Sequence, residues 1–208
     1  MNREVLGKGR MSVPTVQIEG CRRSHQVLLD GIAGLTDDQA RRPSLLPDWT
    51  VGHVLTHVAR NADSVVRRLE GAVRGQIVDQ YPGGYAGRAA DIAAGAGRPA
   101  AELVEDVAET ATRLEAVCLS IPEVAWERPT RGVSGAERPA RTMMLERWRE
   151  VEVHHADLGL GYGPADWPED LLAEWLPREL ERLPQRTDPK LLLAWLIGRA
   201  EAPALASW

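Results

Sequence analysis

The stretch REVEVHHADLG, Arg149 to Gly159, places Glu150 and His154 four residues apart. On a helix that spacing puts both side chains on one face, where they could hold a metal ion or only each other. An intrahelical pair of this kind contributes a few tenths of a kcal/mol at most, about 0.2–0.5. The neighbouring His155 is rotated from that face by about 100° and is set aside as a ligand. Spacing alone leaves both readings standing, so the rest of the chain has to decide between them.

The periodicity around this stretch predicts a helix over about 141–158, stopped by Gly159 and Gly161. Three more helices are expected. The first runs over about 15–35, with Ile18, Cys21, Leu28, Ile32 and Leu35 at helical spacing and His25 packed on the same stripe. The second runs over about 50–72, capped by Asp48 or Thr50, with Val51, Val54, Leu55, Val58, Ala62, Val65, Val66 and Leu69 forming a wide apolar face. The third runs over about 99–119, with Pro99 in its first turn and Pro122 beyond its end. TDDQARRPSLLPDWT reads as a loop, residues 75–98 as a long connection with a short helix near 88–94, and RPTRGVSGAERPA as turns.

Four helices and one long connection predict a mainly α chain built as a four-helix bundle, a fold whose interior commonly carries metal ligands from facing helices. The expected organisation is a disordered tail at 1–13, the bundle at 14–162, and a small C-terminal α or α+β subdomain at 163–208.

The composition narrows the function. The chain has 208 residues, 44% of them hydrophobic, enough for one sizeable core. The net charge of -5 is spread over interspersed acids and bases, without the basic block of a nucleic-acid binder. No apolar run approaches the roughly 20 residues of a membrane span, and the first residues lack a signal-peptide core, so a cytoplasmic protein is expected. Cys21 and Cys118 lack CxxC spacing and read as buried small hydrophobes. Lys8 and Lys190 are the only lysines and phenylalanine is absent, a bias of GC-rich coding of the kind actinobacteria show.

A catalytic zinc site takes three nitrogen or oxygen ligands and leaves a position open. Glu150 and His154 supply two. His57 is the best third candidate, since an imidazole among apolar neighbours needs partners for its nitrogens. His53, four residues earlier, would close a four-coordinate site, which suits structure better than catalysis, and is assigned to the pocket around the ion. Arg60, Asn61 and Asp63 follow His57 and are candidates for hydrogen bonds across the same pocket.

LPDWTVGHVLTHVARNADS followed downstream by REVEVHHADLGLGY closely resembles the mycothiol-dependent maleylpyruvate isomerase family, a branch of the DinB-like metal-binding helical bundles. The resemblance extends over YPGGYAGRAADIAAGAGRPAAELVEDV and LLLAWLIGR. It implies a DinB-like four-helix bundle whose metal ligands fall on His57, Glu150 and His154, with water in the fourth position. It also implies zinc or another divalent transition metal, mycothiol as thiol cosubstrate, a small-molecule electrophile as partner, and a monomer or homodimer. In the implied chemistry the metal stabilises the thiolate, which adds to a cis-enone acid such as maleylpyruvate and leaves the trans product. Arg199 is the arginine matching the family's C-terminal motif and would neutralise a substrate carboxylate or enolate. A mycothiol S-transferase and a non-catalytic metal-binding bundle are the alternatives. Two departures from the resemblance stand out: Asp48 occupies a position where glycine is expected in much of the family, and the C-terminal part reads as shorter than in the established isomerases.

Overall fold

The computed structural model describes residues 13–206 of the chain, so the tail expected at 1–13 lies, but for Val13, outside the described residues. They divide into two compact units between Asp166 and Trp167.

The first unit holds α1 (Thr15–Ile32), α2 (Asp37–Arg41), α3 (Val51–Val73), α4 (Gly84–Gly95), α5 (Ala100–Ser120) and α6 (Thr142–Asp157). The bundle is formed by α1, α3, α5 and α6, with α3 against α5 and α1 against α6. Its core joins Leu28 and Ile32 of α1, Val54, Leu55 and Val58 of α3, Leu103 and Val107 of α5, and Val151 of α6. Full burial of each such side chain contributes about 1.5–3 kcal/mol.

Helix α3 starts where a reciprocal cap is available. Thr50 Oγ1 accepts the His53 backbone N–H, and the Thr50 N–H donates to His53 Nδ1 at 3.2 Å, so two otherwise unpaired donors are satisfied at the N-terminus. Thr50 therefore caps the helix and Asp48 does not. Asp48 instead adopts φ 63°, a left-handed conformation that glycine enters without steric cost and aspartate only with some. The glycine expected at this position thus has a backbone reason.

Two elements depart from the sequence reading. The segment after Leu35 is not a continuous loop, because Thr36 and Gln39 make a capping box that starts α2; its signature, Thr-x-x-Gln, was present in TDDQ. The turn-rich stretch contains a hairpin of β1 (Pro129–Arg131) and β2 (Glu137–Pro139), antiparallel, with Thr130 opposite Arg138. Arg128, just before it, donates to the carbonyls of Ala72 and Val73 at 2.6 and 2.7 Å, satisfying the C-terminal end of α3.

Helix α6 ends at Asp157, and Gly159 follows with φ +65°. At Gly20 of α1 an added Cβ would lie 2.4 Å from the Trp148 ring of α6. Trp148 is fully buried and donates its Nε1–H to Ser24 Oγ at 2.8 Å. The missing side chain is what lets the two helices close over that indole.

The second unit contains α7 (Glu169–Arg182) and α8 (Pro189–Leu196), with no strand among its described residues. Trp167 and Trp175 pack with ring centroids 5.8 Å apart, and Arg186 pairs with Glu179 at 2.9 Å. No helix among the described residues is long and apolar enough to cross a membrane.

Candidate metal centre

His57 lies in the middle of α3, and Glu150 and His154 lie one turn apart on α6. The packing of the helices brings the three together. His57 Nε2 is 3.1 Å from Glu150 Oε2 and 3.1 Å from His154 Nε2, and His154 Nε2 is 3.5 Å from Glu150 Oε2. Ligand atoms 2.0–2.1 Å from a tetrahedral centre lie about 3.3–3.4 Å apart, so this triangle has the dimensions of one face of a zinc site. Two imidazoles and one carboxylate are also the donor set of such a site. The residues present fit the ion that the resemblance implies. Among the described residues this is the one group of three or more such side chains with mutually convergent donor atoms.

The surroundings orient each donor. Asp157, three residues after His154, holds the His154 Nδ1 at 2.8 Å and so leaves Nε2 to face His57. Asn61 donates its amide to Glu150 Oε2 at 3.2 Å. Its own carbonyl oxygen accepts from Arg147 Nη1 at 2.9 Å, and the same nitrogen donates to the Val58 carbonyl at 2.9 Å. Arg147 is fully buried and also contacts His25 Nε2. The amide is thereby fixed with its N–H toward the carboxylate. Trp49 sets its ring edge-on to His57, centroids 5.8 Å apart.

Charge follows the same layout. Burial disfavours the His57 imidazolium and, despite the Glu150 hydrogen bond, lowers its pKa to about 4. Burial also works against protonated His154, but Asp157 and Glu150 together outweigh it and lift its pKa to about 9. Burial would raise the Glu150 carboxyl, yet His154 and His57 hold it well below the carboxylate range. Without a metal the site is therefore a neutral imidazole, an imidazolium and a carboxylate, with one proton where a cation would be bound.

The other predicted residues sit elsewhere. His53 is half-buried, with its Nδ1 engaged in the α3 cap. Arg60 pairs with Asp63 at 3.2 Å and with Asp106, and Asp63 also receives Arg113. Arg60, Asp63, Thr56, Arg67, Tyr81 and Arg98 line a cavity of about 460 Å³ on the next face of α3. Arg199 belongs to the second unit, where it is exposed and donates to the Gly198 carbonyl at 3.3 Å.

Three residues near the cluster were given no site role by the sequence reading, in which Asp157 was only a helix-end contact. Asp157 and Arg147 lie three residues to either side of His154 and Glu150, on the same helix face, so their spacing was a usable signal. Arg88 of α4 had a weaker one, as the sole basic residue between Tyr81 and Gly97. Its Nη2 stands 3.2 Å from His57 Nδ1, and its guanidinium carbon lies 5.8 and 5.9 Å from the centroids of the Trp49 and Tyr81 rings.

The class of molecule defined here is a four-helix bundle carrying a convergent His, Glu, His set between two of its helices. Residues 21–159 match the family model described as the mycothiol maleylpyruvate isomerase N-terminal domain, and the chain belongs to that family. That family makes an isomerase-like enzyme the class of this protein. Among solved structures, the mycothiol-dependent maleylpyruvate isomerase aligns with a TM-score of 0.73 and 24% identity, over 81% of this chain and 70% of that one. A histidine-to-alanine mutant of that isomerase aligns equally well at 23% identity. YfiT from Bacillus subtilis, described as a "probable metal-dependent hydrolase with an unusual four-helix bundle topology", aligns with a TM-score of 0.57 and 16% identity, over 76% of this chain and 89% of that one. At these identities the structural likeness establishes the fold. No curated protein sequence matches the chain significantly.

Proposed function

We propose that this protein is a metal-dependent, thiol-using enzyme that adds mycothiol to an electron-poor carbon of a small electrophile, as in the cis-trans isomerisation of maleylpyruvate. The observation that carries this reading is the triangle of His57, Glu150 and His154, with the dimensions of one face of a zinc site. A zinc ion held there would keep a bound thiol deprotonated at neutral pH. Two histidines and one carboxylate suit zinc, and iron, nickel, cobalt and manganese accept similar sets.

The protein's own residues do the rest. His57 and His154 offer Nε2, and Glu150 offers its carboxylate. Asp157 keeps the proton of His154 on Nδ1, and Asn61 holds the Glu150 oxygen in place. Trp49 and Arg88 wall the His57 side, Trp49 supplying an apolar surface that limits water and Arg88 a fixed positive charge. In the reaction we assign, a carbon–sulfur bond forms, the former double bond rotates, and the bond breaks again, releasing the trans isomer and the unchanged thiol. The site needs no net proton or electron transfer for that cycle. The residues assigned to the bundle, 14–162, contain all of these groups.

The test is an assay of the zinc-reconstituted protein with maleylpyruvate, with and without mycothiol, following the ultraviolet change of the enone. Turnover that requires the thiol but does not consume it supports the isomerase. Loss of free thiol in step with substrate would indicate an S-transferase instead. Equal metal content and activity in His57→Ala and Glu150→Ala would end the proposal in either form.

A further inference from the structure

We propose that Arg88 selects an anionic substrate, its guanidinium receiving a carboxylate beside His57. This inference rests on the metal-centre reading above.

Arg88 is held in place by stacking rather than by ion pairing. The guanidinium carbon lies over Trp49 at 5.8 Å and over Tyr81 at 5.9 Å, within cation–π range of both rings. Among the described residues no carboxylate pairs with it. Its polar neighbour is the His57 ring, with Nη2 at 3.2 Å from Nδ1 and 3.4 Å from Nε2. The other arginines near the site are committed. Arg60 and Arg98 share Asp106, Arg67 donates to the carbonyl of Gln80, and Arg147 is taken up by Val58, Asn61 and His25.

A guanidinium has five donors and no acceptor. Its Nη2 lies nearly equidistant from the two His57 nitrogens, over the ring and not along a lone pair. Among the described residues Arg88 is thus a half-buried cation without an anionic partner, a state that costs free energy until an anionic oxygen arrives. A carboxylate meets that need in a two-point, charge-assisted geometry that a neutral amide or ester cannot reproduce. Standing against His57, Arg88 sets a demand for negative charge in the ligand beside the candidate metal position.

The experiment measures binding, not turnover. Zinc-loaded wild type, Arg88→Met and Arg88→Lys are titrated calorimetrically with maleate and with its uncharged diamide, and zinc content is determined on the same samples. The wild type is expected to prefer maleate. Arg88→Met should bind maleate about 10- to 100-fold more weakly with the diamide and the zinc stoichiometry unchanged, and Arg88→Lys should recover part of the loss. If Arg88→Met holds zinc and binds maleate as tightly as the wild type, or more tightly, the assignment of Arg88 is wrong. If the wild type does not distinguish maleate from the diamide, it is also wrong. A wild type that takes up no zinc overturns the metal centre itself, and the Arg88 proposal with it.

Discussion

Asn61 shows how a side chain that is not itself a candidate ligand can orient one. Its amide donates to Glu150 Oε2, and Arg147 fixes which way that amide points. Replacing it by leucine keeps the volume but removes the donor, leaving Arg147 and Glu150 each short of a partner. Groups that orient metal ligands typically contribute 10- to 100-fold in affinity. We expect Asn61→Leu to weaken zinc binding by about that factor in a chelator competition, with unchanged helical circular dichroism. Away from the metal, His25 sets a pH limit on stability. It is buried, and burial lowers its pKa to about 4, Glu115 only partly compensating. A histidine whose folded pKa lies below its unfolded value of about 6.5 is neutral in the fold but takes up a proton when unfolded, so its contribution is lost as pH falls from about 6.5 to 4. That contribution is at most about 3 kcal/mol. Chemical denaturation of the metal-free protein should show stability falling across this window, and His25→Gln should flatten the decline; an unchanged slope would remove His25 as its source. At this scale the convergence of the three side chains was legible in part: spacing put Glu150 and His154 on one helix face but left a simple pair equally open, and the resemblance joined His57 to them. Arg88 was not, because only tertiary packing brings the α4 connection against His57.

The elements were legible in proportion to their periodicity. The four long helices follow from apolar residues three and four apart, and Thr50 and Gly159 mark a start and a stop that local chemistry explains. The short elements were not. Helix α2 has five residues and depends on one capping box, and β1 and β2 have three residues each, too few for any period to show. Helix pairing was hidden for a different reason, since no local pattern says that Gly20 must receive the face of Trp148. We expect Gly20→Ala to destabilise the protein by about 1–3 kcal/mol, as overpacking of a filled core does, despite alanine's higher helix propensity. Urea denaturation would measure it. A stabilised Gly20→Ala would mean that α1 and α6 do not approach as closely as described.

At the scale of the whole molecule, the fold brings His57 of α3 and Glu150 of α6, 93 residues apart in sequence, to one point. A cation bound there would link α3 to α6 and stabilise the folded state by an amount that grows with the logarithm of its concentration. Fold class and family were readable from the chain because both halves of the site lie in recognisable stretches. The second unit was readable only as short helices. The measurement that bears most directly on the metal centre is metal content by mass spectrometry, on the purified protein and on Glu150→Ala prepared in parallel. The site predicts near one zinc per chain in the first and loss of it in the second. No metal in either, even after reconstitution with zinc, would contradict it and leave Glu150 and His154 as an ordinary pair on the face of a helix.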